Sequence, residues 1–274
     1  MATKNYEQIA RKKIRRPSQS TRQPRILVYS RNKKGKTTFC NSAPNVLILD
    51  PENGTDQLTV SDPPVWPVES WADLDEVYHF LKGSKEAKDS YEWVAVDGGT
   101  RMSNMALRYV MRQEEERNLE RRPGFVEQRD YGKAGELFKG MLLNFQTLPF
   151  GIIYTCQERV IEVGDNGEND EEAENVSAMF VPDLPKGARG SLNSIVDVIG
   201  RLYVVNATKK VRRKGEIIEK EYKQRRLWVG DHSQYDTGFR SEYDLPDYLK
   251  DPTVQRLTNL MRTGDPRGRQ SEGK

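Results

Sequence analysis

The stretch Arg25-Ile-Leu-Val-Tyr-Ser-Arg-Asn-Lys-Lys-Gly-Lys-Thr-Thr38 constrains the chain more than any other. A short β-rich apolar run leads at once into a turn, and then into Gly-Lys-Thr at the expected start of a helix. A phosphate-binding loop needs this order. Successive backbone N–H groups bend around an anion, a lysine reaches the outer phosphates, and a hydroxyl holds magnesium. Ser30, Arg31, Asn32, Lys33, Lys34, Gly35, Lys36, Thr37 and Thr38 are therefore the expected nucleotide-binding residues. Ser30 departs from the pattern, which asks for glycine, and serine tolerates positive φ poorly. The alternative is a chance Gly-Lys-Thr, or a loop that no longer binds nucleotide.

Further short apolar runs alternate with helical patterns. Strands are expected at Val46-Leu-Ile-Leu49, Trp93-Val-Ala-Val96 and Phe150-Gly-Ile-Ile-Tyr-Thr155. Ser70 and Asp73 form a capping-box pattern ahead of Trp71, Leu74, Tyr78 and Leu81 at helical spacing. Two longer helices are predicted over 101–119 and 133–146. Strands separated by helices imply βαβ units, hence an α/β fold with a mostly parallel sheet flanked by helices. Arg201-Leu-Tyr-Val-Val205 and Arg226-Leu-Trp-Val229 flank a charged turn with Gly215, which predicts an antiparallel hairpin at the C-terminal edge of that sheet.

Two carboxylates complete a nucleotide site. Asp97 closes an apolar strand before Gly98-Gly99-Thr100, where it would join Thr37 in holding the metal; the alternative is a cap for the next helix. Glu52 and Asp50 lie just beyond the second strand, at the edge where parallel sheets bind ligands. Glu52 is the expected general base with Asp50 in support, unless both merely shape the turn around Pro51 and Gly54.

The set Gly35-Lys36-Thr37-Thr38, Leu49-Asp50-Pro51-Glu52-Asn53-Gly54, Val96-Asp97 and Tyr154-Thr155-Cys156-Gln157-Glu158 resembles a RecA-like P-loop ATPase core. More closely still, it resembles the phage-encoded single-domain RecA-like ATPases implicated in single-strand annealing and recombination. Pro182-Asp-Leu-Pro-Lys-Gly, Asp197-Val-Ile-Gly-Arg201 and Thr237-Gly-Phe-Arg-Ser241 carry the same resemblance, which spans about residues 25–250. It implies ATP and Mg2+ as ligands, Glu52 as the catalytic glutamate and Gln157 as the sensor of the γ-phosphate. Rings or filaments are also implied, with Arg240 as a basic residue lent to a neighbour's nucleotide; Arg240 could equally be a surface arginine. The implied work is on single-stranded DNA, in the host cytoplasm, with a single-strand-binding protein as a possible partner.

The remaining sequence sets the limits. The chain of 274 residues is 35% hydrophobic and 31% charged with a net charge of +3, too small to imply nucleic acid by itself. Its mean hydropathy of −0.81 predicts solvated segments beside a globular core. These are a flexible basic arm over 1–24, an acidic loop over 162–174, and a C-terminal helix with a disordered tail over 251–274. No apolar run approaches the ~20 residues of a membrane span, so a cytoplasmic protein is expected. Cys40 and Cys156 have no metal-ligand spacing and are expected as reduced, buried thiols. Bases crowd the hairpin at Lys209, Lys210, Arg212, Arg213, Lys214, Lys220, Lys223, Arg225 and Arg226, which favours DNA there. Those between the helices, from Arg112 to Arg129, sit among glutamates and are expected as solvated pairs. Two other functions fit the same residues: an ATPase that reaches DNA only through a partner, and a non-hydrolysing DNA-binding scaffold.

Overall fold

The computed structural model describes residues 6–16, 20, 22–164, 167–168, 176–213 and 216–268. The chain runs α1 (Tyr6–Lys13), β1 (Arg25–Ser30), α2 (Lys36–Cys40), β2 (Val46–Asp50), β3 (Val65–Pro67), α3 (Trp71–Gly83), α4 (Lys85–Ser90) and β4 (Trp93–Asp97). It continues through α5 (Gly99–Arg117), α6 (Gln128–Gln146), β5 (Gly151–Gly164), β6 (Gly167–Glu168), β7 (Val176–Pro182) and α7 (Lys186–Ile195). The last part is β8 (Val198–Arg213), β9 (Glu216–Trp228), β10 (Gly238–Phe239), β11 (Tyr248–Lys250) and α8 (Val254–Thr263).

The main path of the sheet is β11-β9-β8-β1-β5-β4-β2-β3. Every pairing from β8 through β3 is parallel, while β8, β9 and β11 pair antiparallel as the predicted hairpin and a short outer strand. This is the expected mixed α/β class, a mostly parallel sheet flanked by helices. β5 lies between β1 and β4, so the phosphate-loop strand and the strand ending in Asp97 open on the same edge with one strand between them.

Burial on both faces explains the uninterrupted apolar runs. In β1, Leu27 and Tyr29 pack with Trp71 and Leu74 of α3, Met102 of α5, Phe138 of α6 and Leu192 of α7. Ile26 and Val28 point the other way, onto Phe39 of α2 and Leu257 of α8. The Ser70–Asp73 capping box is formed and starts α3 as predicted.

Three segments differ from the sequence expectation. Within the basic arm, residues 6–13 form α1, with Glu7 in its first turn and Arg11, Lys12 and Lys13 in its last, a charge order that suits the helix dipole. The end of the arm is tied down, since Arg22 makes a bidentate pair with Asp197 at 3.0 Å. β5 does not end at Thr155 but continues to Gly164, because β7 supplies an antiparallel partner for residues 158–164. Of the acidic loop, residues 165–166 and 169–175 lie outside the described residues, as do 269–274 of the tail. In the middle basic region Arg121 is buried against Asp130 instead of forming a solvated pair, because the carboxylate of α6 takes its guanidinium inside, whereas Arg129 meets Glu127 at 2.7 Å as expected. Among the described residues, no helix is long and apolar enough to cross a membrane.

The β4–β5 contact carries a stability prediction. A Cβ on Gly151 would meet carbons of the buried Trp93 ring at 2.4 to 2.7 Å, too close without moving a core indole. Gly151→Ala should lower unfolding free energy by about 1–3 kcal/mol. Gly140, exposed on α6 with nothing within 4 Å of its Cβ position, should gain about 0.5–1 kcal/mol as alanine. Urea midpoints at unchanged slope check both; an unmoved midpoint in Gly151→Ala would contradict this packing.

Candidate functional site

β1 ends at Ser30, paired with Gln157 at the same level of β5. Ser30 is fully buried, and the positive φ values of the following bend fall at Lys33 (60°) and Gly35 (103°). The serine therefore never enters the conformation that a glycine would relieve. Its hydroxyl donates to the carbonyl of Arg31 at 2.9 Å and lies 3.5 Å from the Lys36 ammonium.

Lys36, the first residue of α2, reaches back across the loop. Its ammonium donates to Gln157 Oε1 at 3.2 Å and to the carbonyls of Ser30 and Arg31 at 3.4 and 3.5 Å. Burial pushes its pKa down, opposed by Asp97 and then Glu52. Neutral acceptors at such lengths leave a partly desolvated cation poorly compensated, a condition an anion would relieve.

Asp97 sits 6% exposed at the end of β4. Burial raises its pKa, against hydrogen bonds from Thr37 and Thr155, the latter at 2.7 Å. The carboxylate and the Thr37 hydroxyl thus share one spot, an oxygen-only donor pair that suits Mg2+ with phosphate and water completing its shell. Cys156 is no soft ligand for a metal there, since burial pushes its thiol up to about 12.

Glu52 is held by a turn that Asp50 organises. Asp50 accepts from the Glu52 N–H at 2.9 Å, and from the N–H and hydroxyl of Thr55 at 2.9 and 2.6 Å. Asp50 is thus occupied by the turn, and its support for Glu52 is positional. Gly98, at φ 139°, allows the start of α5 to approach, because a Cβ there would stand 2.8 Å from Pro51 Cγ. Burial raises the Glu52 pKa, followed by the charge of Asp97, with Lys36 opposing.

Gln157 is fixed through its backbone. Its N–H donates to the Thr100 hydroxyl at 3.0 Å and its carbonyl accepts from the Asp183 N–H at 2.8 Å. This leaves its side chain facing Lys36.

One cleft of about 660 Å3 is lined by Asn32, Lys33, Gly35, Lys36, Thr37 and Thr38 together with Glu52, Asp97, Thr100 and Gln157. Of the other expected loop residues, Ser30 is buried beneath it, and Arg31 is an exposed side chain 3.8 Å from Glu158. Neither these two nor Lys34 lines the cleft. Arg240 is not brought to the cleft of its own chain. Its backbone N–H donates to the carbonyl of Asp197 at 2.8 Å and its guanidinium to that of Ser194 at 2.9 Å, just before β8 and beside the N-terminal end of β1. Arg225 of β9, by contrast, lines the cleft, although the sequence placed it only among the bases of the hairpin. Cross-strand register puts it there, and no local motif marks it.

The chain is similar to two proteins of known structure. One is the flagellar accessory protein FlaH from Methanocaldococcus jannaschii, at 9% identity and a TM-score of 0.36, covering 85% of this chain and 88% of that one. The other is a KaiC-like protein from Pyrococcus horikoshii, at 10% identity and 0.38, covering 80% and 84%. No curated protein sequence matches the chain. A family model described as an AAA domain matches residues 22–241, which takes in the phosphate loop, Glu52, Asp97, Gln157 and the whole hairpin. With most of its length matched and its P-loop on the ligand edge of a parallel sheet, the chain belongs to the AAA domain family of P-loop NTPases.

Proposed function

We propose that the chain binds and hydrolyses ATP with Mg2+ and uses the cycle on single-stranded DNA, in recombination, annealing or repair. The observation that carries the ATPase reading is the meeting of Lys36, Thr37, Asp97, Glu52 and Gln157 in one cleft. Mg2+ held by Thr37 and Asp97 would offset phosphate charge. The loop amides and Lys36 bind the phosphates, and Lys36 exchanges its contacts with Ser30 and Gln157 for phosphate oxygens. The amide of Gln157, released from the lysine, then reports on the γ-phosphate. Glu52 takes the proton of the attacking water as the bond from the γ-phosphorus to its bridging oxygen breaks and ADP leaves.

The DNA reading rests on one face of the hairpin. Strand alternation and register set Tyr203, Tyr222, Lys209, Lys220 and Arg226 on the same side. Lys209 lies 5.3 Å from the Tyr222 ring and Arg226 4.6 Å from that of Tyr248. Cations that track phosphates beside rings that stack on bases suit a single strand. If six bases of the hairpin meet phosphates, the logarithm of affinity for an oligothymidylate should fall against log salt with a slope of about −4. Fluorescence anisotropy across a salt series measures it; a slope near zero would remove DNA from the proposal.

A further inference from the structure

Arg225 lines the nucleotide cleft, and among the described residues its side chain has no partner. It lies opposite Val204 in the hairpin, on the face whose root carries the core residues Leu202 and Leu227, and not on the tyrosine face. Its backbone is pinned, since its carbonyl accepts from the Asp251 N–H at 2.8 Å. The side chain passes over the bend of the phosphate loop so closely that a Cβ on Gly35 would stand 2.5 Å from its Nε. Neighbouring arginines are engaged: Arg201 with Glu158 at 2.6 Å, and Arg226 with Gln224 at 3.0 Å. Among the described residues, Arg225 has neither an ion pair nor a side-chain hydrogen bond.

We propose that Arg225 is a phosphate-binding residue of this cleft, supplied in cis by β9, so that each protomer brings its own arginine to the nucleotide. The assignment rests on the nucleotide reading above and deepens it. A planar guanidinium offers up to five donors that match phosphate oxygens, and one without a carboxylate partner breaks no ion pair to make that contact. The cleft also holds Glu52 and Asp97, so a second cation beside Lys36 helps offset a polyphosphate arriving against two carboxylates. Because Arg225 belongs to the hairpin, occupancy of the cleft and the position of β9 become linked through one side chain.

Calorimetric titration of wild type, Arg225→Ala and Arg225→Lys with Mg-ATP and with Mg-tripolyphosphate, which has no base or sugar, tests this. Arg225→Ala should weaken both ligands by about 10- to 100-fold, the range expected for a lost charged hydrogen bond. Arg225→Lys should recover part of the loss, since the charge returns without the fork. The side chain is exposed, so ligand-free melting temperatures should agree among the three proteins. Affinities of Arg225→Ala within twofold of wild type would overturn the assignment. So would a loss confined to ATP, because it would place the arginine on the base or sugar. Wild type that binds neither ligand would instead overturn the nucleotide reading itself, and this assignment with it.

Discussion

Lys36→Ala should lose the stabilisation that Mg-ATP gives the wild-type protein. At a ligand concentration 100-fold above Kd, a ligand that binds only the native state adds about 2.7 kcal/mol. For a chain of this size that corresponds to a rise in melting temperature of roughly 5–10 °C. The lysine carries most of this because its ammonium is already partly desolvated and bonded only to neutral oxygens of Ser30, Arg31 and Gln157. Much of the cost of burying that charge is therefore met before the phosphate arrives. Removing it leaves the triphosphate facing Glu52 and Asp97 with less to offset them. Thermal melts of both proteins with and without Mg-ATP check this. A shift in Lys36→Ala equal to that of wild type would place the nucleotide elsewhere.

Glu52→Gln should separate binding from turnover. The amide preserves shape but cannot take a proton, so hydrolysis should fall by about 10²–10⁴-fold while ATP affinity stays within a few fold of wild type. The pH dependence gives a second signature. Burial first, and then the charge of Asp97, hold the Glu52 carboxyl above the ordinary glutamate value of about 4.3. A base works deprotonated, so kcat/KM should fall as pH drops through this raised pKa. The acid limb should therefore lie above the ordinary carboxylate range and vanish in the residual activity of Glu52→Gln. Turnover in that variant within tenfold of wild type would assign the water to another group.

The core strands were legible because β1, β2 and β4 are buried on both faces, and only continuous apolar runs satisfy that. Capping chemistry marked α3 for the same local reason. The consequence of Ser30 was less legible, since the motif asks for glycine without showing which residue of the loop takes the positive φ. The strain of this loop sits at Lys33 and Gly35, which leaves serine as an ordinary end of a strand. The extension of β5 was hidden because its pairing partner, β7, lies beyond a run of acids whose sequence shows only repulsion. The two arginines show the same limit more sharply. Arg240 and Arg225 both occur in charged segments, yet the folded sheet puts Arg240 at its far end and Arg225 over the phosphate loop. Hairpin register sets Arg225 and the pairing of β10 with the start of β8 sets Arg240, and both depend on contacts far apart in the chain.

Steady-state ATP hydrolysis by the wild-type protein, with and without single-stranded DNA and beside Lys36→Ala, tests the central claim most directly. Turnover that rises with DNA and disappears in the variant is the expected result. Turnover indifferent to DNA would keep the ATPase and transfer the DNA contact to a partner. The absence of turnover in every sample, with no Mg-ATP shift in melting temperature, would contradict an active nucleotide site in this cleft.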